Sequence, residues 1–228
     1  MSKASINWTD HILNFVSVIV GVSLAFIISS RSEQSKQENE FNQNISAILE
    51  ELDSDIYTFE SYQIPDNKEK LVRMKDAIQM IASQSGSDSV SVQLMSFFDV
   101  NNYSPSNITI NSLITSGKLD LLNDYDLKTN ILYYQNLADE LESQGKFQVE
   151  FLMDRITPWF IENAPYFMGE KNYIDDYKGD DSEAIMIFSL YIAFVENKIA
   201  KYESALKDAK SLKELLTKYQ EEEGLNDR

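Results

Sequence analysis

The chain has 228 residues, 43% of them hydrophobic and 25% charged, enough for an anchor and one domain with a core of its own. Its formal charge of −17 disfavours nucleic acid and anionic lipid headgroups as main ligands. The absence of cysteine excludes disulfides, thiol catalysis and thiolate metal sites, while only 7 Gly and 4 Pro favour long helices over a many-turned β architecture.

Residues Ile12 to Ser30 form a charge-free apolar run near the start. About 20 such residues suffice to cross the hydrocarbon core of a bilayer as a helix. The run exceeds a usual signal-peptide core, and no A-x-A-like site follows it, so it reads as an uncleaved anchor. Trp8 suits the interfacial aromatic belt, and Asn14 falls in the first turn inside the lipid. Ser17, Gly21, Ala25 and Ser29 recur every fourth position, a stripe of small residues that lets another membrane helix approach closely. The expected partner on this stripe is a second copy or a different membrane protein. Lys3 on one side and Arg31 with Lys36 on the other give a weak lean toward a cytoplasmic C-terminal domain. The expected division is residues 1–30 as tail and transmembrane helix, and residues 31–228 as an extramembrane helical bundle.

Beyond Arg31 the sequence is polar without Pro or Gly, and apolar residues then recur at Phe41, Ile45, Ile48, Leu52, Ile56 and Phe59. That spacing predicts one helix from about Trp8 to Tyr62, roughly 80 Å at 1.5 Å per residue, ended by Pro65. A second helix is expected from about Asp66 to Ser83, with Leu71, Met74, Ile78 and Ile81 buried, then a loop at Ser83 to Asp88. A short helix near Val92 to Phe98, the loop NNYSPSN and another short helix from Ile110 to Ser116 follow. Ser116, Gly117 and Lys118 read as a structural turn, with Gly117 a helix stop in left-handed conformation. Asn123 or Asp124 caps a long helix reaching about Ile156, with Gly145 able to bend or break it and Pro158 ending it. Trp159 to Lys178 reads as aromatic-rich and irregular.

Asp180 and Glu183 form a capping signal for a last helix running to about Glu222. Its first part, Ala184 to Val195, is apolar all round but too short to span a membrane, so it reads as buried. Ile199, Tyr202, Leu206, Ala209, Leu212, Leu216 and Tyr219 then narrow to one stripe, suited to packing as a coiled coil beside the first helix. The fold class is all-α: a transmembrane helix continuing into a long stalk, in an antiparallel bundle with a long C-terminal helix.

Chemistry is sparse. His11 is the single histidine, at the membrane edge, so zinc sites and histidine triads lack their parts. The string Ser116-Gly117-Lys118 is not a phosphate loop, because Ser112 and Leu119 stand where that pattern needs Gly and Ser or Thr. Asp175, Asp176, Asp180, Asp181 and Glu183 lack the glycine and terminal glutamate of an EF-hand, and read as helix capping plus a solvated acidic loop. No catalytic, cofactor-binding or metal-ligating residue stands out, and no cofactor is implied.

Three features resemble an uncharacterised family of small bacterial single-span, membrane-anchored helical proteins: the G-V-S-L-A-F centre of the run (Gly21 to Phe26), the pattern Asn44 to Leu52, and NSLITSGKLDLLND (Asn111 to Asp124) followed by Tyr133-Tyr134. The likeness covers residues 8 to 135. It implies one N-terminal span in the bacterial cytoplasmic membrane, a helical domain on the periplasmic side and no assigned activity. The expected role is non-enzymatic: a scaffold, adaptor or accessory subunit of an envelope assembly. The alternative is a ligand-binding or sensor module that signals through a partner, with the aromatic segment Trp159 to Tyr177 as its site.

Overall fold

The computed structural model describes residues 8–83, 90–122, 124–167 and 181–222. The elements are α1 (Trp8–Thr58), a π-turn (Phe59–Gln63), α2 (Ile64–Ala82), α3 (Val90–Met95), α4 (Ile108–Thr115), a 3-10 turn (Lys118–Leu121), α5 (Tyr125–Phe151), a second π-turn (Leu152–Ile156), α6 (Thr157–Phe167) and α7 (Asp181–Glu222). No strand occurs among the described residues, and the fold is an all-α bundle. Most of the expected loop at Ser83 to Asp88, the Asn123 cap, and Asp175, Asp176 and Asp180 lie outside the described residues.

The chain divides into two units, Met1–Ser46 and Ala47–Arg228. In the first, every described side chain from residue 13 to residue 39 is exposed, Phe15 and Phe26 among them. This N-terminal helix is long and apolar enough to cross a membrane. The apolar run ends at Ser30, whereas the division by contacts falls sixteen residues later, after Ser46.

In the second unit α7 is the central helix. Ion pairs Asp53–Lys213 (2.5 Å), Glu60–Lys210, Lys68–Glu203 (2.6 Å) and Lys75–Glu196 (2.6 Å) set it antiparallel to a continuous rod made of the end of α1, the first π-turn and α2. Glu140–Lys201, Gln144–Asn197 (3.0 Å) and Phe147–Phe194 set it antiparallel to α5 as well. The rod and α5 are therefore parallel to each other. Residues 99–107, which contain the segment NNYSPSN expected as a loop, form neither helix nor strand and run against both. Gln63 donates to Asn101 (3.1 Å), Asp55 meets Tyr103 and Ser106, and Glu51 meets Thr109 on the rod side. On the α5 side Asn102 reaches Gly145, Ser104 reaches Ala138 and Asn111 reaches Gln135. This strap occupies the fourth position of the bundle. Beyond it, Met74, Leu94, Phe97, Ile156, Phe188 and Tyr191 belong to one apolar core.

Two expected stops are corrected. Pro65 and Pro158 do not end helices; each follows a π-turn by two residues, and helical structure continues through both. A proline ring clashes with the carbonyl four residues back in α geometry. In each π-turn the bond reaches five residues instead, Ile64 N–H to Phe59 O and Thr157 N–H to Leu152 O, and the widened turn leaves room for the ring. Carbonyls there gain side-chain donors: Asn67 Nδ2 to Gln63 O (2.7 Å) and Thr157 Oγ1 to Leu152 O (3.0 Å). The irregular reading of Trp159 onward is corrected as far as Phe167, which is helical as α6.

Gly145 does not break α5; a Cβ there would lie 3.1 Å from Asn102 Cγ, so the glycine admits the strap. Asp124 caps α5, accepting from Leu127 N–H at 3.0 Å. The stretch Ala184 to Val195 is not buried all round: Met186 is 58% and Leu190 48% exposed. Asp55, not Ile56, takes the buried place in its turn of α1.

Gly117 has φ 70° and ψ 5°, between α4 and the 3-10 turn, with open space where a Cβ would project. The cost of a side chain there is therefore purely backbone strain. Gly117→Val should destabilise the detergent-solubilised protein by about 1–2 kcal/mol, and Gly117→Asn, which tolerates the left-handed region, by clearly less. Equal denaturation midpoints for wild type and the valine variant would place the helix stop elsewhere.

Candidate functional site

The strap brings backbone amides and carbonyls into the bundle where no strand or helix can pair them, and polar side chains from α1 and α7 meet them. Asp55 is fully buried at the end of α1. Its Oδ1 accepts from Tyr103 Oη (2.5 Å) and from the Ser106 N–H (3.1 Å), and its Oδ2 accepts from Tyr134 Oη (2.8 Å). One turn earlier, Glu51 Oε1 accepts from the Thr109 hydroxyl (2.7 Å) and N–H (3.3 Å). From α7, Tyr202 Oη accepts the Tyr103 N–H (2.8 Å) and donates to the Tyr103 carbonyl (3.2 Å). The Phe59 ring stands edge-on to Tyr103, 5.2 Å between centroids, and closes this part of the seam from the first π-turn.

Further along the strap lies a cationic cluster. Lys198 of α7 is 3% exposed and donates to Asn101 O (3.3 Å) and Asn102 Oδ1 (3.2 Å). Asn102 donates onward to Gly145 O (3.0 Å), so one side chain ties α7 to α5 through the strap. Lys70 of α2 is also buried and pairs with Asp99 at 3.0 Å.

Burial raises the Asp55 pKa above the usual carboxylate range, against the hydrogen bonds from Tyr103, Ser106 and Tyr134, and the Glu51 charge adds to the rise. Burial and the Asp55 partner push the Tyr103 phenol up, burial and the Asp55 charge do the same to Tyr134, and burial raises Tyr202. Burial first, and the neighbouring Lys70 second, lower Lys198 to about 8, with Asp99 opposing. A groove of about 460 Å³ runs along the outer side of the strap, lined by Asn102, Tyr103, Leu141, Gly145 and Val149 among others. Among the described residues no group of three or more His, Cys, Asp or Glu is placed to hold a metal ion.

The residues singled out in the sequence lie elsewhere. Ser17, Gly21, Ala25 and Ser29 are exposed on α1, four residues apart. Ser116 caps α4, Gly117 turns the chain and Lys118 opens the 3-10 turn, remote in role from the seam. Of the aromatic segment, Trp159 packs on Phe188 and Phe160 on Phe98, so both serve the core. The seam residues were missed, yet a signal existed: Asp55 stands between Leu52 and Phe59, and Lys198 between Val195 and Tyr202, in registers whose other members are apolar. A polar residue at such a position has a buried partner to find.

Comparisons with protein-family models, with curated proteins and with solved structures find no match for this chain.

Two outcomes follow. Asp55→Ala orphans two tyrosine hydroxyls and one amide, each costing about 1–3 kcal/mol, so denaturation should show a loss of at least about 3 kcal/mol. Asp55→Asn keeps one acceptor oxygen for Tyr103 and Ser106 and offers an amide to the Tyr134 hydroxyl, so it should lose less than half of that; equal losses would contradict the bonding described. The second outcome is pH-dependent. A lysine whose folded pKa lies below its unfolded value adds stability as pH rises from the folded toward the unfolded value. Stability should therefore rise from pH 8 toward about 10, before tyrosines ionise in the unfolded chain, and Lys198→Met should flatten the rise.

Proposed function

We propose that the protein is a non-enzymatic scaffold, adaptor or accessory subunit of a bacterial envelope assembly, held by one span with its helical domain on the periplasmic side. The observation that carries this reading is the exposed apolar stretch of α1: Phe15, Val18, Val22, Phe26 and Ile28 are each more than 60% exposed, and nothing among the described residues covers them. A contiguous apolar surface of that kind requires lipid or a partner. The stripe Ser17, Gly21, Ala25 and Ser29 supports contact with another membrane helix, from a second copy or a different protein, because close packing rather than hydrophobicity drives association in lipid. The buried side chains of Asp55, Gln63, Lys70 and Lys198 are engaged in holding the strap, which supports a structural rather than catalytic use of them. The groove beside the strap favours the second reading, a ligand-binding or sensor module that signals through a partner.

The protein should stay with membranes through alkaline carbonate extraction. Gly21→Leu with Ala25→Leu keeps the span apolar but fills the small-residue stripe, so insertion should survive while crosslinks in native membranes fall severalfold. Release of the wild type by carbonate would remove the anchor from the account. Retention of every crosslink by the double variant would reduce the span to a plain anchor.

A further inference from the structure

The outer face of α7 carries an uncharged stripe that the described residues leave open. Met186, Leu190, Ala193, Asn197, Ala200 and Ser204 follow one another in steps of four, three, four, three and four, and all are exposed. Charge bounds the stripe, because the same spacing reaches Glu183 before it and Lys207 after it. Between those ends it runs roughly 27 Å along the helix. Tyr191, Val195, Lys198 and Tyr202 are buried on the opposite side, so the stripe faces away from the core. On the α5 side the half-exposed Phe147 stands edge-on to Phe194, 5.3 Å between centroids, and borders it with aromatic surface. An uncharged exposed face of this length is unusual on a chain with a formal charge of −17.

We propose that this stripe is a dimer interface of the helical domain, occupied by α7 of a second copy packed parallel and in register. The spacing is that of a coiled-coil seam, so the occupant it fits is a helix. The charges beside the seam select which helix and which direction. One border of the stripe carries Ser189, Glu196 and Glu203, and the other carries Ile187, Phe194 and Lys201. In a parallel pair each residue of the first border meets the one five places on in the other copy. Glu196 then faces Lys201 of the second copy, and the two-fold axis makes that contact twice. Glu196 already pairs with Lys75 (2.6 Å) and Lys201 with Glu140, so the contact joins two ion pairs into a row of alternating sign. An antiparallel pair instead sets Glu196 against Ser189, Glu196 or Glu203 of its own border, where no opposite charge waits. The like-charged Glu203 and Asp208 come together only past Ser204, where the stripe has ended. Within the seam, Asn197 accepts from Gln144 Nε2 (3.0 Å), which leaves its own Nδ2 to donate to Asn197 of the second copy. A single asparagine at such a position fixes register and the number of helices. This interface lies on a different surface from the small-residue stripe of α1, goes beyond the scaffold reading and does not depend on it.

The chain has no cysteine, so single cysteine substitutions report contacts without background. In the full-length protein in detergent micelles, Ala193→Cys and Ser204→Cys are each oxidised with copper phenanthroline and read as disulfide-linked dimer on a non-reducing gel. A parallel seam in register brings every residue of the stripe against its own copy. Both variants should therefore crosslink severalfold more than Ser54→Cys, an exposed position on α1. The two stripe sites lie roughly 16 Å apart along the helix, and an antiparallel pair, with one point of self-contact, cannot serve both. Leu190→Lys, at an exposed position that leaves the core intact, should lower the Ser204→Cys crosslink severalfold. Failure of both stripe cysteines to crosslink, or yields no higher than at Ser54, would overturn the interface. Crosslinking at only one of the two would overturn the parallel register, and an unchanged yield with Leu190→Lys would overturn the stripe as the contact.

Discussion

Burying a piece of chain that is neither helix nor strand inside a helical bundle is costly, and the second unit is organised around meeting that cost. A helix satisfies its own amides and carbonyls, but the strap cannot. Each buried backbone group left without a partner would cost about 1–3 kcal/mol, against a typical total stability of about 5–15 kcal/mol. The partners come from two neighbouring helices: the end of α1 supplies Asp55 to the Ser106 amide, and α7 supplies Tyr202 to the amide and carbonyl of Tyr103 and Lys198 to the Asn101 carbonyl. α5 contributes by omission as well, since Gly145 carries no Cβ that would strike Asn102.

The same requirement explains why the buried polar groups are where they are. A carboxylate at Asp55 accepts three hydrogen bonds from two different elements, the strap and α5, which no apolar residue of similar volume could do. Burial raises its pKa, and the hydrogen bonds from Tyr103, Ser106 and Tyr134 oppose that rise. Lys198 is the counterpart on α7. Burial and the neighbouring Lys70 lower its pKa, while Asn101 O and Asn102 Oδ1 accept its hydrogen bonds. Fixing the strap in one register is the return on both, and it defines which faces of the rod, α5 and α7 can pack.

Much of the architecture is legible in the sequence, because a 3.6-residue period survives any tertiary context. The buried faces at Ile48, Leu52 and Phe59, at Met74 and Ile81, and at Ile131, Tyr134 and Leu141 follow from spacing alone. The prolines misled for a physical reason: the rule that proline stops a helix assumes α geometry, and a π-turn two residues earlier removes the clash. The seam was illegible because its partners are far apart in sequence. Tyr134 lies 79 residues from Asp55, and Tyr202 lies 99 from Tyr103. Spacing along one helix shows that Asp55 is in a buried register, but not what it meets. The exposed Met186 and Leu190 failed for the opposite reason, since composition shows an apolar stretch without showing which side a neighbour covers.

Native-state amide hydrogen exchange tests the central claim most directly, read at Tyr103 and Ser106. Neither amide belongs to a helix or strand, and each donates to a buried side chain, Tyr202 Oη and Asp55 Oδ1 respectively. The account predicts that both exchange only through global unfolding, as slowly as the core amides of α5 and α7. Exchange at the rate of an open loop, while those helices remain protected, would show that the strap is not locked into the bundle and would contradict the account.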